Sequence, residues 1–129
     1  MNTLTSLERE VLSTILYLLV KDKASVAHII RSLVISERSF SPDVANPAKC
    51  SGFYLNFAQN DLLAGINGVP HHLSVQAGHE ATPAGGDFIL YFRKDKAGLD
   101  FLEGTFFDYT LPKDDLLSEN HGFTIHREE

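Results

Sequence analysis

The sequence predicts an α+β fold, with an N-terminal helical hairpin packed on a mainly antiparallel β-sheet, in one domain spanning residues 1–129. Three observations lead there. Apolar residues recur three and four apart before residue 33, and later they alternate or form short runs. Helical patterns come first and strand patterns follow, an order that favours segregated layers over alternating α/β units. The 129 residues, 43% hydrophobic and 22% charged, suffice for one core and exclude disorder as the dominant state.

Each element has its own signal. Thr5 and Glu8 stand at capping-box spacing, and Leu7, Val11, Leu12, Ile15, Leu16, Leu18 and Leu19 follow with the rhythm of a broad apolar face. Lys21, Asp22 and Lys23 interrupt it. Ser25 is the expected cap of a second helix carrying Val26, Ile29, Ile30 and Leu33. The hairpin is expected to bury Leu12, Ile15, Leu16 and Leu19. Leu33, Val34 and Ile35, with Glu37 and Phe40, begin the strands, and Pro42 and Pro47 mark a loop. Phe53, Leu55 and Phe57 alternate with Tyr54 and Asn56 as a half-buried strand. Residues 61–66 read as a helical turn, Leu73 and Val75 as a short strand, and 88–92 as an apolar strand fed by a flexible Gly85-Gly86 loop. Leu99, Phe101, Phe106 and Phe107 make the next strand across a hairpin loop at 94–98. Residues 111–118 read as turn or short helix, and Phe123, Thr124 and Ile125 as a last strand.

Composition narrows the function classes. One cysteine, Cys50, excludes an internal disulfide framework and a four-cysteine zinc site, and its expected place is a loop. The first residues lack a basic secretory n-region, and the longest apolar run, 11–20, is too short to span a bilayer. The expected location is the cytoplasm. Residues 1–94 hold 8 acidic and 8 basic side chains, whereas 95–129 hold 9 and 3, so the whole net charge of −6 lies in the last 35 residues. Such a field repels nucleic acid and anionic membrane and attracts basic partners.

Chemical motifs are weak. His71 and His72 are adjacent, so on a strand they point to opposite faces and do not grip one ion. His79, Glu80 and His121 are the one combination for loops to bring together around zinc or for acid–base hydrolysis. There is no Gly-x-Ser-x-Gly elbow, Walker motif or dinucleotide glycine spacing. No catalytic residue, metal ligand or cofactor is expected. Strand alternation places Glu103 on the same face as Phe101, and it is expected to point inward as a buried acceptor. Phe53, Tyr54, Tyr91 and Phe107 are candidates to line a small-molecule pocket, with plain core as their alternative.

Three spaced blocks, Gly52-Phe53-Tyr54-x-x-Phe57, Gly86-x-Phe88-x-Leu90 and Asp100-Phe101-Leu102-Glu103-Gly104-x-Phe106, resemble those of small bacterial immunity proteins of contact-dependent growth inhibition and other polymorphic toxin systems. The resemblance covers about residues 33–107 and rests on aromatics and turn glycines, so no binding residue carries over. It implies a cytoplasmic protein that binds a cognate toxin C-terminal domain, commonly a basic nuclease, and covers its active site, without itself contacting nucleic acid or membrane. The charge asymmetry fits that expectation independently. The expected partner-binding residues are Asp95, Asp100, Asp108, Asp114, Asp115 and Glu119, placed at turns and hairpin ends. The alternatives are a small hydrolase using histidine and carboxylate, or a small-molecule or regulatory binding module. Oligomeric state is not legible from the chain.

Overall fold

Helix α1 (Ser6–Val20) starts at the predicted capping box: the Glu8 amide donates to Thr5 Oγ1 at 3.1 Å, and the Thr5 amide donates to Glu8 Oε1 at 2.9 Å. The computed structural model describes residues 3–106 and 109–126. α1 ends where Lys21 turns left-handed, at φ 59°, and its amide closes on Tyr17 O. Helix α2 (Lys23–Ser32) is capped by Asp22 rather than Ser25. The Asp22 carboxylate accepts from both the amide and the hydroxyl of Ser25, which holds its pKa below the usual range. A carboxylate is a stronger acceptor than a hydroxyl at a helix N-terminus, so the acidic residue takes the cap.

The rest of the chain is built mainly of strands β1 (Ile35–Pro42), β2 (Lys49–Phe57), β3 (His72–His79), β4 (Thr82–Phe92), β5 (Leu99–Phe106), β6 (Leu111–Pro112) and β7 (Phe123–Ile125), with the short helix α3 (Lys113–Leu117) after β6. They form one sheet in the order β1-β2-β5-β4-β3-β7, with β6 paired to the start of β2. Every pairing is antiparallel. The α+β architecture with a helical hairpin on the sheet is therefore the observed one. The turn between β4 and β5 closes as a hairpin, with Arg93 N–H donating to Gly98 O at 2.9 Å and Lys96 at φ 64°.

Register decides which side chains meet the helices. Phe53, Leu55, Val75, Ala77, Phe88, Leu90 and Leu102 share the inner face and are buried beneath α1, which contributes Leu7, Val11, Leu12, Ile15 and Leu16. α1 packs against β3, β4 and β7, and α2 packs on α1. Leu19, expected in this core, is only partly buried at its margin. Gly104 faces Phe53 and Phe88 across its two neighbours, and a Cβ there would stand 2.4 Å from the Phe53 ring. The absent side chain leaves the space that the Phe53 ring fills.

Gly85 and Gly86 are strand residues of β4, not a loop. Gly85 has φ 65°, and a Cβ would lie 2.2 Å from Ala77 O, so the irregular end of the β3–β4 pairing needs glycine at this point. Cys50 also lies in a strand rather than a loop. It is fully buried in β2, and desolvation pushes its thiol pKa up, which makes it an inert core residue. Among the described residues no helix is long and apolar enough to cross a membrane.

Candidate functional site

The helices cover one face of the sheet and leave the other to solvent. Strand alternation sends Tyr54, Asn56, Phe101, Glu103, Ile89, Tyr91, His72 and Ser74 to that outer face, all of them exposed or half-buried. In one cross-strand row, His72 opposes Tyr91 and Tyr91 opposes Phe101. In the next, Ile89 opposes Glu103 and Glu103 opposes Tyr54. The Tyr91 and Phe101 rings stack at 4.4 Å and 18°. His72 tilts against Tyr91 at 5.7 Å and Tyr54 against Phe101 at 6.3 Å, so aromatic surface runs unbroken across β3, β4, β5 and β2.

Glu103 lies within this surface, and the expectation of an inward carboxylate is corrected. It does share a face with Phe101, but both point away from the helices. Its oxygens accept from the Tyr54 hydroxyl at 2.9 Å and, more weakly, from the Tyr91 hydroxyl at 3.4 Å. The Tyr54 pKa is raised chiefly by the bond its proton makes to Glu103; the Tyr91 pKa is raised chiefly by desolvation, with Glu103 adding to it. Both phenols therefore remain donors at neutral pH. Two hydroxyls occupy about half of the roughly four acceptor positions of a carboxylate.

The predicted acidic residues do not converge on one patch. Asp95 sits in the β4–β5 turn, where it accepts from the Ala97 amide at 2.9 Å and lies 4.0 Å from Arg93; Asp100 begins β5 beside it. Asp114 and Asp115 lie on α3, and Glu119 follows it, beyond the opposite end of β5 and on the helix side of the sheet. Six further residues of β5 follow Asp100 before the strand ends at Phe106, about 20 Å at 3.3 Å per residue. All five are exposed. Asp108 lies outside the described residues.

The histidines have internal partners. His79 Nδ1 accepts from the Ala81 amide at 3.0 Å, and its Nε2 bonds His121 O at 3.1 Å. His121 is buried, with Nδ1 accepting from the Phe123 amide at 3.1 Å and Nε2 on Glu10 at 2.5 Å. An amide only donates, and a carbonyl or a carboxylate accepts, so in both rings Nδ1 offers its lone pair and Nε2 carries the proton, which His79 donates to His121 O and His121 to Glu10. The His79 and His121 lone pairs are thus directed at backbone amides, and the rings tie β3, β7 and α1 together. Among the described residues no three His, Cys, Asp or Glu side chains are grouped to hold a metal ion. His71 Nδ1 instead pairs with Lys96 Nζ at 2.9 Å.

Nor do the four candidate aromatics line a common pocket. Phe53 is in the core, Tyr54 and Tyr91 are on the opposite face, and Phe107 lies outside the described residues. A groove of about 450 Å³ runs between α1 and α2, lined by Ser13, Thr14, Tyr17, Leu18, Val26 and others, with Lys23 its single charge. It brings together no titratable cluster. From sequence, Tyr54 and Tyr91 are candidates only for a pocket with Phe53 and Phe107, and Phe101 and Glu103 have no binding role. The outer-face patch that joins Tyr54, Tyr91, Phe101 and Glu103 is missed, although Phe101-x-Glu103 and the alternation around Tyr54 place these residues on common faces. Comparison with known protein families, with curated proteins and with solved structures finds no match.

Proposed function

We propose that this chain is a protein-binding inhibitor of the immunity type, which acts in the cytoplasm by covering the basic active-site cleft of a cognate toxin nuclease. The observation that carries this reading is the outer face, where aromatic surface and carboxylates lie together and, among the described residues, no helix packs on them. Faces that combine exposed aromatics with polar groups belong to protein interfaces, where rigid rings supply contact area at small entropic cost. The acidic groups on and after α3, Asp114, Asp115 and Glu119, add a negative field that speeds encounter with a basic domain, whereas Asp95 and Asp100 stand among Arg93, Lys94 and Lys96. The resemblance across residues 33–107 points the same way.

The test is biological and direct. A toxin nuclease domain should be encoded immediately upstream of the chain; expression of the chain should protect cells from that domain, and the two should co-purify in a 1:1 complex. Lack of protection and of complex would end the proposal.

The terminal carboxylates have a separate, kinetic role in this reading. Reversing Asp114→Lys and Asp115→Lys should slow association with a catalytically inactive toxin domain by about tenfold at low salt, while leaving the dissociation rate and the melting temperature nearly unchanged. Stopped-flow rates at several ionic strengths should show a shallower salt dependence for the double variant, because screening acts on the steering field. Equal rates for variant and wild type at low salt would reduce α3 to a solvated surface.

A further inference from the structure

The outer face carries more than an uncommitted patch of rings. At the positions of this face paired among β1, β2, β3, β4 and β5 lie three carboxylates, Glu37, Asp87 and Glu103, and no lysine or arginine; Lys49 is paired with β6 at the margin. Arg38, the basic residue of β1, is turned to the other side and bound to Glu8. Within the patch, Glu103 is the carboxylate flanked by rings: Tyr54 and Tyr91 donate to it, and Phe101 stacks on Tyr91 beside it. A negative group framed by aromatic faces attracts a cation through two effects, direct charge pairing and the ring quadrupoles.

We infer that Glu103, Tyr54, Tyr91 and Phe101 form a seat for an arginine side chain of a protein partner. The guanidinium would donate to the remaining acceptor positions of Glu103 and rest its plane against the adjoining rings. Arginine suits this seat better than lysine, since its flat, weakly hydrated fork both stacks and bonds a carboxylate through two parallel hydrogens. The two tyrosine hydroxyls hold the carboxylate in place beforehand, so little side-chain freedom is lost when the partner arrives. Aromatic rows on open sheets also stack nucleic-acid bases, but the carboxylates on this face, Glu37, Asp87 and Glu103, would repel the phosphates, while the cations Arg93, Lys94 and Lys96 lie beyond it in the β4–β5 turn. This seat rests on the proposed binding of a basic protein and names the group by which that protein is held.

The experiment titrates the full-length, isotope-labelled protein with a blocked glycine-spaced peptide carrying two arginines, and follows backbone amide shifts. Saturable shifts should centre on Tyr54, Tyr91, Phe101 and Glu103. Tyr54 and Tyr91 donate to different oxygens of Glu103, so Glu103→Gln keeps an acceptor for one phenol, offers its NH2 to the oxygen of the other and removes the charge; it should fold normally and bind about tenfold more weakly. Asp114→Asn removes the same unit of charge elsewhere and should leave the affinity unchanged, and the lysine version of the peptide should bind more weakly than the arginine one. Shifts confined to α3 or the β4–β5 turn, with Glu103→Gln binding like wild type, would overturn the seat while leaving a basic partner in place. Absence of any saturable shift would also overturn it, whereas the binding function itself stands or falls on the protection assay. Tighter binding of a short oligothymidylate at the same amides would replace the arginine with a stacked base.

Discussion

Replacing Arg38 with alanine should destabilise the protein by about 3–5 kcal/mol, the range for breaking a buried ion pair by removing one partner. Arg38 lies on the inner face of β1, in the same alternation as Phe40, and reaches the first turn of α1. Its Nε donates to Glu8 Oε2 at 2.7 Å, and Nη2 donates to Glu8 Oε1 at 2.6 Å and to Thr3 O at 2.8 Å. Glu8 is only 3% exposed and Arg38 16%, so water screens the pair poorly. The bond to Glu8 raises the Arg38 pKa above its usual value, against the opposing effect of burial. Without the guanidinium, Glu8 keeps only the Thr5 amide of the capping box while remaining buried. The loss would be a large share of the roughly 5–15 kcal/mol that holds a typical domain together. Combining Arg38→Met with Glu8→Gln removes both charges, keeps a capping acceptor and should recover most of the loss. Urea denaturation of the single and double variants measures it, and a loss under about 1 kcal/mol for Arg38→Ala would show that the pair is screened after all.

Leu16→Ala should cost about 2–5 kcal/mol by the same measurement. Leu16 is fully buried in α1, within the cluster that joins Leu12 and Ile15 to the inner face of the sheet. Alanine leaves the helix propensity intact, so the cost comes from the lost transfer energy and from the cavity that β3 and β4 cannot close. The contrasting substitution is Tyr17→Ala, next in sequence but 45% exposed on the far side of the helix, where the loss should stay under about 1 kcal/mol. Similar losses at the two positions would mean that α1 does not dock on the sheet by the face described.

The sequence by itself determined the local structure. Thr5 and Glu8 set the start of α1 because a capping box involves neighbours three residues apart, and the Arg93–Gly98 turn followed from residues adjacent in the chain. Alternation likewise showed that Phe53 and Leu55 share a face and that Phe101 and Glu103 share one. It could not say which face the helices would cover, because that depends on strand order and register over separations such as that of Tyr54 from Glu103, 49 residues apart. Glu103 was therefore assigned inward on a correct pattern with the wrong side. The same limit hid the pairing of Arg38 with Glu8, 30 residues away, and of His121 with Glu10, 111 residues away. It also separated the acidic residues, which cluster in the last third of the sequence but are carried by β5 to opposite ends of the sheet. Local chemistry is written in short-range spacing, whereas a surface is assembled from strands that meet only when the chain closes.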